Sequence, residues 1–128
     1  MSAADARMPG LDHPITIAPT RGRVVVRFAG YTVANSRRAL TLREASYPPV
    51  QYVPREDVDM ALLQRTARRT HCPYKGDASY FSVHAGDRTA ADAVWSYEHP
   101  HAAVGAIAGH LAFYTDRIDV AVEPTALP

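Results

Sequence analysis

The feature that most constrains this chain is the brevity of its ordered runs. Short stretches in strand pattern are cut off, one after another, by turn signals, and no apolar stripe at helical spacing is sustained for long. Residues 23–28 are rich in β-branched side chains and place Val24, Val26 and Phe28 on one face. Ala29-Gly30 reads as a tight turn into residues 31–35, which predicts a β-hairpin. Residues 38–43, with Leu40 and Leu42 in phase, complete three short antiparallel strands. Residues 15–19 add a short edge strand, and further strands are expected over 51–53, 66–70, 79–84, 93–98, 111–114 and 118–122.

Two short helices are expected. Residues 55–64 follow Pro54, carry acids in their first turn and space Val58, Leu62 and Leu63 as one apolar stripe. Residues 100–110 start on a proline and are small throughout, with Gly105 and Gly109 weakening the helix. The fold class is therefore mainly β: a single domain over residues 15–122 of about eight short, mostly antiparallel strands. Residues 1–14 and 123–128 are expected to be flexible tails.

Composition bounds the function. The chain has 128 residues, 47% hydrophobic and 21% charged, enough to bury a core in one domain. Fourteen Lys and Arg against 13 Asp and Glu give a net charge of +1, so no basic face for phosphate-backbone binding is expected, and no nucleic-acid partner. The first ten residues lack the apolar run of a secretory signal, and no stretch reaches the ~20 apolar residues of a membrane span. One cysteine excludes an internal disulfide. A soluble, cytoplasmic protein without a membrane partner is the expectation.

Chemistry concentrates between His71 and Pro100. The only cysteine, tryptophan and lysine fall there, with three tyrosines and three of the six histidines. Cys72 reads as a half-buried thiol rather than a nucleophile, because His71 beside it on a strand points to the other face. His99 and His101, with His71 or His110, match no metal-ligand spacing and read as turn residues, so no metal and no cofactor is expected. Lys75 and Asp77 flank Gly76, either as an acid–base pair or charged rim, or as a plain turn whose aspartate accepts backbone N–H groups.

The aromatic residues are the strongest signal. Strand alternation puts Ala93, Trp95 and Tyr97 on one face beside Tyr80, with Tyr47, Tyr52 and Tyr74 in flanking segments. Such rings either pack as core or wall a small-molecule pocket. The pocket is the preferred reading, walled by Tyr47, Tyr74, Tyr80, Trp95 and Tyr97. Arg55, His71, Lys75 and Asp77 are its polar contacts. An enzyme using the same cleft, with Lys75, Asp77 or His71 in proton transfer, is the alternative. A third is an interaction module, a homodimer for instance, pairing through an open β surface.

Several blocks together carry a family resemblance: RFAG at 27–30, EASYPPV at 44–50, PREDV at 54–58, THCPYKGDASY at 70–80, AVWSYEHP at 93–100 and IAGHLAFY at 107–114. In this order, from about residue 23 to 122, they resemble the family called domain of unknown function 427. The resemblance implies a β-tent fold, shared with methionine sulfoxide reductase B, the Yippee-like proteins and the thalidomide-binding domain of cereblon. Many of these hold a structural zinc with two Cys-x-x-Cys pairs, which one cysteine cannot supply. A nucleotidyltransferase-like activity is also associated with the family. No Gly-rich phosphate loop and no spaced pair of metal-binding carboxylates occurs here to support it.

Overall fold

A computed structural model describes residues 6–124. Ten strands form three antiparallel sheets, and the mainly β expectation holds. Strands β2 (Arg23–Phe28) and β3 (Tyr31–Ser36) pair with β10 (Asp119–Glu123) in the order β10-β2-β3. Strands β1 (Ile15–Pro19), β4 (Leu40–Glu44) and β5 (Val50–Tyr52) form a second sheet in the order β1-β4-β5. The third holds β6 (Leu63–Cys72), β7 (Gly76–Ala85), β8 (Arg88–Ser96) and β9 (Ala112–Phe113), in chain order.

The hairpin expected at Ala29-Gly30 is present, with Phe28 opposite Tyr31. Both loop residues have positive φ, 52° and 82°, as a two-residue turn between right-twisted strands requires. The expected three-strand grouping of 23–43 is not. β4 leaves the hairpin and pairs with β1 and β5, putting Leu42 in a different core from Val24 and Val33.

Neither expected helix forms as an α-helix. Residues 55–64 split into 3-10 turns at Arg55–Asp57 and Met60–Leu62, with Val58 extended between them. Val58 bridges Ala34, the Asp59 N–H donates to the Val33 carbonyl, and Val58 is buried in the core. That tertiary contact outweighs the weak helical pattern. β6 then starts at Leu63, earlier than the strand expected over 66–70. Residues 102–107 make 3-10 turns kinked at Val104, and they bury Val104 and Ile107. At the other end, the strand expected over 111–114 shortens to Ala112–Phe113.

β7 explains how the sheets stack. Side chains alternate along a strand, so Ala78 and Tyr80 face one way while Phe81, Val83 and Ala85 face the other. The first pair enters a core with Leu42, Tyr52, Tyr97, Val104 and Ile107; the second set enters a core with Val24, Val26, Val33 and Ile118. The four-stranded sheet is thus covered on opposite faces by the two smaller sheets. Directly opposite residues share a face, and Tyr80 pairs with Trp95 while Phe81 pairs with Val94. Trp95 therefore lies against the β1-β4-β5 sheet. A bridge between Val53 and Leu111, with reciprocal N–H···O bonds of 2.8 Å, ties that sheet to the segment leading into β9.

The segment expected as an N-terminal tail is described from Ala6 onward. Arg7 N–H donates to the Pro73 carbonyl at 2.8 Å, and Gly10 and His13 bond each other. At the other terminus, Glu123 closes β10 and accepts from Arg23 at 2.9 Å. The remaining tail residues, 1–5 and 125–128, lie outside the described part.

Candidate functional site

The strands converge on a cleft of about 190 Å3 between the β1-β4-β5 sheet and the aromatic face of the four-stranded sheet. β7 and β8 supply Tyr80 and Trp95, Tyr97 follows β8, and Tyr114 follows β9. Leu42 and Glu44 come from β4, and Tyr47 and Pro48 from the loop before β5. The prolines at 48 and 49 stiffen that loop, since each fixes its own φ and restricts the residue before it. A wider groove of about 450 Å3 is lined by the same loop and shares Tyr47, Pro48, Val50, Trp95 and Tyr114 with the cleft.

The rings differ in burial. Tyr52, Tyr80 and Tyr97 are buried, Trp95 is half-buried, and Tyr47 is 65% exposed as the outer wall. Trp95 packs edge-on against Tyr52 at 6.3 Å between centroids and tilted against Tyr114 at 4.6 Å. Its indole N–H donates to the Tyr52 hydroxyl at 3.2 Å, which satisfies both groups inside the wall. Burial pushes the Tyr52 and Tyr97 hydroxyls above the ordinary phenol range, so both remain neutral.

One polar pair sits among these rings. Lys75 is buried, and its ammonium donates to Glu44. The other Glu44 oxygen meets the His13 Nε2 at 2.7 Å, and His13 stacks flat on Tyr74 at 3.8 Å. Burial works against the charged form of Glu44, but the hydrogen bonds from Lys75 and His13 outweigh it and hold its carboxyl below the usual value. Lys75 also lies 5.7 Å from the centre of the Tyr97 ring.

A second polar group occupies the cleft edge. The Tyr80 hydroxyl bonds the Thr70 hydroxyl at 2.9 Å and lies 3.4 Å from that of Tyr114. Burial raises Tyr80, yet Thr70, Tyr114 and the Arg68 guanidinium outweigh it and hold the phenol below its ordinary value. Tyr114 is pushed up to about 12, by burial first and then by its Tyr80 neighbour.

Of the nine residues singled out from sequence, five line this cleft: Tyr47, Lys75, Tyr80, Trp95 and Tyr97. Four do not. His71 and Asp77 sit opposite each other on β6 and β7 and bond at 2.8 Å on an exposed face. Tyr74 stacks on His13 behind the ion pair. Arg55 donates to the Glu98 carboxylate at 3.2 Å and to the Gly109 carbonyl, beside Arg65, which grips Glu98 with two bonds. Lys75 and Asp77 therefore do not form the pair their spacing suggested. Gly76, at φ 109°, turns the chain between them and sends them to different partners.

Glu44, His13, Tyr52 and Tyr114 join the site without having been singled out as contacts. Glu44 and Tyr114 do fall inside two of the resemblance blocks, the one signal that pointed to them. Cys72 is a half-buried free thiol in the core behind the cleft. No group of three or more His, Cys, Asp or Glu among the described residues could hold a metal ion. No helix among them is long and apolar enough to cross a membrane.

Compared with known families, residues 16–124 match the one described as domain of unknown function (DUF427). No curated protein matches the chain.

Proposed function

The chain belongs to that family, whose description assigns no activity, and on this premise we propose that it binds a small, ring-bearing molecule in the Trp95 cleft. The observation that carries the reading is the Lys75–Glu44 pair set among aromatic walls. Apolar surfaces with a few convergent polar groups are the general form of a ligand site: the walls supply affinity and the polar groups orientation. Size limits the ligand. At about 190 Å3 the cleft is smaller than the ~300–1,000 Å3 that take drug-sized molecules. A single ring with one or two polar substituents suits it.

Trp95 is the chain's only tryptophan and lines both this cleft and the wider groove, so its fluorescence reports a ligand at this wall. Titration with phenol, benzyl alcohol and indole analogues that do not themselves emit in its band is expected to give a saturable change in Trp95 emission, with a matching rise in Tm. Tyr47→Ala removes the exposed outer wall without touching a core, and is expected to weaken binding by about 1 kcal/mol, roughly fivefold. If no compound gives a saturable fluorescence response or a thermal shift, the reading is lost.

A further inference from the structure

Tyr114 lines more than the cleft. That residue also lines a groove of about 400 Å3 whose charged residues are Arg68, Asp92, Asp116 and Arg117. The two guanidinium groups lie over the two tyrosines of the cleft edge: Arg68 is 4.9 Å from the Tyr80 ring centre, and Arg117 is 5.3 Å from that of Tyr114. The hydroxyls of those same tyrosines are 3.4 Å apart. Two cations thus converge on two phenols at one end of an aromatic cleft.

The acids of the groove are already engaged. Asp92 accepts from the Thr66 hydroxyl at 2.6 Å, and Asp116 lies 3.7 Å from Arg117. Arg117 is anchored by donating to the Ala91 and Asp92 carbonyls. Arg68 is exposed and, among the described residues, has no carboxylate within ion-pair distance. Elsewhere Lys75 pairs with Glu44, and Arg55 and Arg65 pair with Glu98.

We propose that Arg68, Tyr80, Tyr114 and Arg117 form a subsite for the anionic group, a carboxylate or phosphate, of the molecule whose ring occupies the Trp95 cleft. The proposal rests on the cleft reading above and adds the ligand's charge to it. A guanidinium presents planar donors matched to either oxyanion, and the phenols add two hydroxyl donors beside it. Tyr114, with its pKa raised to about 12, keeps its proton at ordinary pH and remains a donor. Tyr114 lines both compartments, so the compound that tests the proposal is a single ring bearing its anion on a short arm.

The test compares phenyl phosphate, phenylacetate, phenol and inorganic phosphate on the wild-type chain, Arg68→Gln and Arg68→Lys. Readouts are Trp95 fluorescence and the arginine side-chain N–H resonances. At least one of the two anionic ring compounds is expected to bind about tenfold more tightly than phenol, an advantage that added salt reduces. The tighter of the two identifies the group. Arg68→Gln is expected to remove the advantage and leave phenol within about twofold, while Arg68→Lys keeps part of it. If phenol binds and neither anionic compound exceeds it, or Arg68→Gln changes nothing, the subsite is overturned and the cleft reading stands. If inorganic phosphate shifts the Arg68 resonance while no ring compound perturbs Trp95, the arginines take a free oxyanion only, and the cleft reading falls together with the proposal that rests on it. Silence from all four compounds overturns both.

Discussion

At the scale of single residues, the site turns on a lysine that cannot be separated from its glutamate. The Lys75 and Glu44 side chains are only 10% and 14% exposed, so neither charge is stabilised by bulk water alone. Glu44→Gln would leave the ammonium buried without its counter-charge and is expected to cost about 3 kcal/mol, read as a lower midpoint in urea. A wild-type midpoint in that variant would mean that water already solvates Lys75. Strand alternation made the Tyr80–Trp95 wall legible, because cross-strand neighbours follow from period and register. The Glu44 partnership was not legible. It spans 31 residues and joins sheets whose packing no local pattern encodes. Nor was His13, assigned to a tail, though it completes the pair.

Among the elements, the β2–β3 hairpin shows where sequence and backbone disagree. Ala29 sits at φ 52°, a left-handed conformation that an L-residue with a Cβ adopts at a cost of about 1 kcal/mol. Asparagine tolerates that region better and is common in such turns. Ala29→Asn is expected to stabilise the domain by up to about 1 kcal/mol, and a Tm that falls would show that the turn is not strained at this position. The strands themselves were readable from β-branched runs and turn dipeptides. Their grouping was not, because β4 carries the same alternating pattern whether it pairs with β3 or with β1. The failed helix over 55–64 has the same origin. Its periodicity was real, but a buried valine was worth more as a bridge to Ala34 than as one turn of a short helix.

Across the whole molecule, Glu98 joins three distant segments through Arg55, Arg65 and its own position after β8. The Arg65 hydrogen bonds chiefly, with Ser79 and Arg55 assisting, outweigh burial and hold the Glu98 carboxyl down to about 2. Since the folded value lies below the unfolded one near 4.5, its stabilisation is complete above that pH and fades as pH falls toward 2. Acid titration of the unfolding free energy is expected to lose about 2–3 kcal/mol from Glu98 over that window. Glu98→Gln should flatten this part of the curve; an unchanged slope would assign it to other carboxylates, of which Glu44 and Asp57 are shifted in the same direction.

The loop that carries Tyr47 and Pro48 has a place of its own in this arrangement. Tyr47 and Pro48 line both the 190 Å3 cleft and the 450 Å3 groove while belonging to neither core. Tyr52, Tyr80 and Tyr97 serve cleft and core at once, whereas this loop shapes the two compartments without holding a core together. On the proposed reading, relatives that differ only at residues 45–49 would be free to reshape the two compartments, so one scaffold could serve several ligands by exchange of a single short segment.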